Sequence, residues 1–105
     1  MQINVPNSQI IDIRLASEWY ETGIIEGSKL ITYEMASGKI NPLFVIKVAQ
    51  NFSKDDKIVI ICHSGIRSRA AVDLLRANGF KDVSDVPGGI YNYTRLGAKL
   101  IKYDG

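Results

Sequence analysis

The strongest hydrophobic signal in the chain is Ile58-Val59-Ile60-Ile61, four consecutive apolar residues. A run with no polar alternation predicts a strand buried on both faces, as in a parallel sheet, over Lys57 to Ile61. Gln9 to Ile13 is a second short isoleucine-rich segment. Val83 to Val86 reads as a last strand, and Lys29 to Tyr33 carries a fainter version of the same pattern. Segments of helical spacing lie between them. Ser17 to Thr22 reads as a short helix with Ser17 as N-cap and Gly23 as stop. Pro42 to Phe52 has apolar residues at 43, 45, 46 and 48, with Pro42 near the start. Arg69 to Asn78 sets Ala71, Leu74, Leu75 and Asn78 along one side, with Gly79 at a left-handed C-cap. After Pro87-Gly88-Gly89, Tyr91 to Gly97 reads as a terminal helix.

Strands alternating with helices predict an α/β fold with a mostly parallel sheet. Ligands of such folds bind beyond the carboxyl ends of the strands. The polar, glycine-containing turn from Cys62 to Ser68 falls at that edge. The length of 105 residues fits one domain, residues 1–105. With 46% hydrophobic and 23% charged residues the composition is that of a globular chain rather than a disordered one. A formal net charge of +2 makes no case for nucleic acid or a membrane surface as partner. Of two short basic clusters, Arg67 with Arg69 and Lys99 with Lys102, the second reads as a solvated face. No stretch approaches the roughly 20 apolar residues of a membrane-spanning helix. Met1 to Ser8 lacks the basic-then-apolar pattern of a secretory signal, so a cytoplasmic location is expected.

The chain has one cysteine and one histidine. They allow neither an internal disulfide nor a zinc site of four protein ligands. Cys62 is therefore a buried structural thiol or a reactive one. Free cysteines are commonly buried, but the surroundings of this one favour reactivity. In Cys62-His63-Ser64-Gly65-Ile66-Arg67-Ser68 a compact loop leads into a helix. The first-turn N–H groups and positive dipole end of that helix favour an anion in the loop. Inward-turned loop amides can add a nest, Gly65 permits the necessary backbone angles, and Arg67 brings a fixed positive charge. An ordinary thiol is only about 3% thiolate at pH 7, so a nucleophilic sulfur needs such help.

Cys62-x-x-Gly65-x-Arg67-Ser68 resembles the active-site loop of the rhodanese family. Ile11-Asp12-Ile13-Arg14, followed by Glu18-Trp19, is similar to that family's first-strand signature. Gly23 to Ser28 resembles the next signature, and Pro87-Gly88-Gly89-Ile90 with Tyr93 and Gly97 the closing one. Two positions depart from the pattern. Ile24 and Glu26 stand where the family usually has His and Pro, and Tyr93 stands where it often has Trp. The resemblance implies a rhodanese-like α/β fold with helices on both faces of the sheet. It also implies a sulfurtransferase that needs no metal or organic cofactor. The Cys62 thiolate would take a sulfur atom from a small anionic donor such as thiosulfate, hold it as a persulfide, and pass it to cyanide, an external thiol or a protein acceptor. His63, Ser64, Gly65, Ile66, Arg67 and Ser68 would line the substrate site. Their amides would stabilise the persulfide, and Arg67 would bind the donor.

Other residues have simpler readings. His63 is expected to line the pocket mouth rather than pair with Cys62. Asp12 with Arg14 reads as a structural ion pair, and Trp19 and Tyr20 as core or rim aromatics. Ser68 is expected to cap the helix or to donate to the Cys62 sulfur. Two rival functions remain. Cys-based phosphatases and arsenate reductases use a Cys-x5-Arg loop, whereas Arg67 lies five positions after Cys62 and Ser68 occupies the sixth. A sulfur carrier within a protein relay would use the same persulfide and differ only in partner.

Overall fold

The computed structural model describes residues 5–105. The chain runs through a 3-10 turn (Asn7–Gln9), β1 (Ile10–Asp12), α1 (Ala16–Thr22), β2 (Lys29–Leu30), α2 (Phe44–Asn51), β3 (Lys57–Ile61), α3 (Ile66–Ala77), β4 (Asp82–Asp85) and α4 (Gly89–Arg95). The four strands form one sheet in the order β2-β1-β3-β4, and every pairing is parallel. Ile11 faces Ile60 across the β1–β3 pair, and Ile60 faces Asp85 across β3–β4.

The isoleucine-rich run forms the expected strand because it serves both faces of the sheet. Ile58 and Ile60 pack with Phe44, Val48, Ala71 and Leu75 on the side of α2 and α3. Val59 and Ile61 pack with Ile10, Ile25, Val86 and Ile90 on the side of α4. Alternate residues of a strand point to opposite faces, so an unbroken apolar run fits a sheet covered on both. At about 25 cal/mol per Å² of apolar surface, each of these buried side chains stabilises the fold by about 1.5–3 kcal/mol.

Boundaries differ from the sequence reading where local hydrogen bonds decide them. Helix α1 begins before Ser17, with Leu15 as its N-cap. Glu18 explains the shift, since its Oε1 accepts the Leu15 N–H at 3.2 Å and supplies the capping acceptor from the third helical position. Pro42 lies outside α2, which starts at Phe44. There Asn41 Oδ1 accepts the Leu43 N–H at 3.0 Å and makes the turn into the helix. Strand β2 is only two residues long, although the Ile31 and Tyr33 N–H groups still donate to Asp12 and Ile13 carbonyls at 3.1 Å. Strand β4 and helix α4 sit one and two residues earlier than expected. Helix α3 starts at Ile66 instead of Arg69. That last difference bears most on the site.

The sheet order means that the chain leaves β1 in one direction and β3 in the other. The carboxyl ends of these two neighbouring strands form the switch point, the place where α/β sheets bind ligands. Arg14 follows β1 and Cys62 follows β3, so both lie at that point.

Candidate active site

Cys62 is the first residue after β3 and is 1% exposed. Four residues later the chain is already helical, so the loop proper is Cys62 to Gly65. Ile66, Arg67 and Ser68 form the first turn of α3. Gly65 makes this short connection possible. It is the N-cap of α3, with φ of 103° and ψ of −8°, a left-handed conformation that a side chain would strain. Its N–H donates to Cys62 Sγ at 3.0 Å. Among the described residues it is the one hydrogen-bond donor to the sulfur, so the expected collar of amides is narrower than the sequence suggests. The reason is geometric, since three of the amides assigned to the loop belong to the helix. Those first-turn N–H groups have no partner inside the helix, and they stand at its positive end beside the loop.

The loop is held from behind by α4. Ile90 N–H donates to the Cys62 carbonyl at 2.7 Å, and Tyr91 N–H to the His63 carbonyl at 3.1 Å. With these carbonyls turned toward α4, the peptide planes of the loop are fixed. The contact requires a glycine at position 89. A Cβ there would lie 2.3 Å from the Cys62 carbonyl oxygen and 2.6 Å from that of His63. The Gly-Gly segment thus works on the cysteine loop directly, a role that sequence spacing alone does not reveal.

The remaining site residues divide. His63, Ser64 and Ile66 are exposed at the rim, Ile66 at 80%. The His63 ring lies 6.4 Å from that of Tyr91. Ser68 is fully buried, and its hydroxyl faces the Gly65 carbonyl at 3.0 Å and Asp85 Oδ2 at 3.1 Å. It therefore ties β4 to the loop and does not donate to the sulfur. Arg67 forms a two-pronged ion pair with Glu18, Nη1 to Oε1 at 2.7 Å and Nη2 to Oε2 at 2.9 Å. The hydrogen bonds from Arg67 hold the Glu18 carboxyl below its ordinary range, and the Glu18 carboxylate raises Arg67 further. The charges of Cys62 and Glu34 also act on Arg67. Because Glu18 follows β1 and Arg67 follows β3, this pair bridges the switch point. Sequence reading missed it because nothing in a chain of letters shows which of 11 acidic residues meets a given arginine.

Asp12 and Arg14 are both completely buried. The Arg14 guanidinium meets Asp12 Oδ2 at 2.8 Å, Thr22 Oγ1 at 2.6 Å and the Gly23 carbonyl at 2.8 Å. The pair joins the end of β1 to the end of α1, as a structural ion pair should. Trp19 is buried edge-on against Tyr103, and Tyr20 is exposed and packs on the same ring. A cavity of about 390 Å³ lies on the far side of the loop from the Arg67–Glu18 pair, lined by Ser64, Gly65, Ile66, Arg69, Asp85, Pro87 and Gly88. Among the described residues no helix is long and apolar enough to cross a membrane.

Comparison with known proteins agrees with this architecture. Residues 2–96 match the family described as the rhodanese-like domain. The tRNA uridine(34) hydroxylase of Cronobacter sakazakii is 34% identical over 90 residues, which is 86% of this chain but 25% of that protein. A protein of Arabidopsis thaliana named rhodanese-like domain-containing protein 15, chloroplastic, is 42% identical over 64 residues, 59% of this chain and 35% of that protein. The chain spans about a third or less of the first curated relatives it matches. With a chloroplastic protein among them, the relatives do not single out the cytoplasm. The solved rhodanese-like domain of a protein from Anabaena sp. superposes with a TM-score of 0.76 at 23% identity, covering 93% of this chain and 67% of that one. A Rhodopseudomonas palustris protein described as of unknown function and a possible tyrosine phosphatase superposes at 0.65 with 28% identity, covering 88% and 69%. Fold, loop and family match converge on one statement: this chain belongs to the rhodanese-like domain family.

Proposed function

We propose that the protein is a sulfurtransferase that carries a sulfur atom on Cys62 as a persulfide. The observation that carries this reading is the position of the sulfur. It sits after the central strand, at the switch point, against the Gly65 N–H and the positive end of a twelve-residue helix. In the first step the Cys62 thiolate attacks the outer sulfur of a donor. With thiosulfate the bond between the two donor sulfurs breaks, sulfite leaves with the electron pair, and Cys62 holds S–S⁻. In the second step an acceptor nucleophile takes the outer sulfur and the thiolate returns, which gives ping-pong kinetics. The acceptor is cyanide, a small thiol or a protein thiol. The main-chain donors around the loop stabilise the persulfide anion. The chemistry requires neither metal nor organic cofactor.

A phosphatase reading has one specific support, the description of the Rhodopseudomonas neighbour. The site favours it less. A phosphoryl group needs an arginine over its equatorial oxygens, and Arg67 is spent on Glu18. Intact mass decides between the two. Treatment with a sulfane donor adds one sulfur atom, cyanide removes it, and Cys62→Ser gains nothing. Absence of that gain in wild-type protein, together with hydrolysis of an aryl phosphate, overturns the sulfurtransferase reading.

A further inference from the structure

The resemblance assigns Arg67 to the binding of an anionic donor, yet the structure gives its charge another partner. Both prongs of the guanidinium are on the Glu18 carboxylate, and both side chains are about four-fifths buried (21% and 23% exposed). Of the other arginines near the switch point, Arg14 is matched as well. Arg14 is buried on Asp12, whereas Arg69 lies on the other side of the loop, in the lining of the cavity beside Ser64 and Gly65, and makes no ion pair among the described residues. Glu34 adds a negative charge that acts on Arg67. The approach to Cys62 therefore presents no free guanidinium on the Arg67 side, and its charge there is neutral to negative. A dianion such as thiosulfate must enter against that field, and it gains little from a cation already neutralised. The exposed rim residue Ile66 contributes surface without charge.

Resting on the sulfurtransferase reading, we propose that Glu18 is a positioning residue that sets donor specificity. By holding Arg67 it turns the site away from dianionic donors and toward donors of lower charge, the class of organic persulfides and thiosulfonates. The transfer balances for these donors. With an alkyl thiosulfonate the Cys62 thiolate takes the outer sulfur, the sulfur–sulfur bond of the donor breaks, and a sulfinate leaves. With an organic persulfide the same attack releases a thiolate, which takes up a proton as the thiol.

The test compares thiosulfate, a dianion, with methanethiosulfonate, a monoanion, as donors in steady-state transfer to cyanide. Removing one negative charge several ångströms from the donor is worth about three- to eightfold per unit of donor charge. Glu18→Gln keeps the side-chain shape and the acceptor for the Leu15 N–H. It should raise kcat/KM for thiosulfate over that for methanethiosulfonate by about three- to eightfold relative to wild type, chiefly through KM. Glu18→Asp, which keeps the charge, should restore the wild-type ratio. In wild-type protein alone, added salt should narrow the preference for the monoanion by screening. A purely structural Glu18 would move both donors equally. The proposal is overturned if wild type prefers thiosulfate at low salt, or if Glu18→Gln leaves the ratio unchanged. Failure of both donors to load Cys62 overturns the sulfurtransferase reading along with it.

Discussion

Two arginine–carboxylate pairs flank the switch point, and they differ in what surrounds them. Arg14–Asp12 is wholly buried, and each prong of its guanidinium also meets a fixed oxygen from the end of α1. Arg67–Glu18 is about one-fifth exposed, and among the described residues its guanidinium has no hydrogen-bond partner besides Glu18. A buried pair held by further hydrogen bonds resists change because either half left alone is an uncompensated charge. A partly solvated pair costs little to break, so it is free to tune a site. Identical chemistry thus serves as scaffold in one place and as a setting in another, and burial decides which.

The contrast can be broken first at the scaffold. Arg14→Ala strands the Asp12 carboxylate in the interior and should cost about 3–5 kcal/mol, read as a lowered denaturant midpoint. A loss of under about 1 kcal/mol would erase the distinction between the pairs. Next in size is Gly89→Ala. Its new Cβ meets two loop carbonyls at 2.3 and 2.6 Å and needs a positive φ of 62°. A loss of about 1–3 kcal/mol follows, together with slower persulfide formation, because α4 must back away from the cysteine loop. A stable variant with unchanged loading would show that α4 does not set the loop.

Glu18→Gln should cost under about 1 kcal/mol, since the pair is partly solvated. Its pH signature sharpens the comparison. Arg67 lowers the folded-state pKa of Glu18 below the ordinary value of a glutamate carboxyl. The unfolded chain therefore binds a proton at Glu18 first, so the contribution of this group is present above about pH 4.5 and is lost as pH falls through the folded value. Wild type should lose stability relative to Glu18→Gln across that acid window and keep a constant difference above it, as measured by thermal melts in buffers of graded pH. Smallest of all, Ile66→Ser at the 80% exposed rim should shift stability by no more than about 0.5 kcal/mol. A larger loss would mean that this side chain packs against something.

The letters of the chain reach further into its cysteine loop than into the groups that support it. The run from Ile58 to Ile61, the glycine at 65 and the lone thiol are local signals, and each predicts its own conformation and chemistry. Ser68 was legible as a helix-start residue, but its bond to Asp85 spans 17 positions and closes only when β4 pairs with β3. Arg67 was legible as a cation, while its partner lies 49 positions away on α1. The start of α3 was read three residues late because the polar character of Arg67 and Ser68 looks like loop until Gly65 is seen to turn the chain left-handed.

By itself the sequence determined the α/β alternation, the doubly buried central strand and the segment that holds the nucleophile. Hydrophobic period and glycine placement act over a few residues and need no partner to be read. Only the tertiary structure decided how many amides reach the sulfur, which carboxylate occupies Arg67, and why position 89 has no side chain. Those are matters of charge pairing and contact between elements distant in the chain, and a Coulomb interaction or a steric clash exists only once folding has fixed the distance.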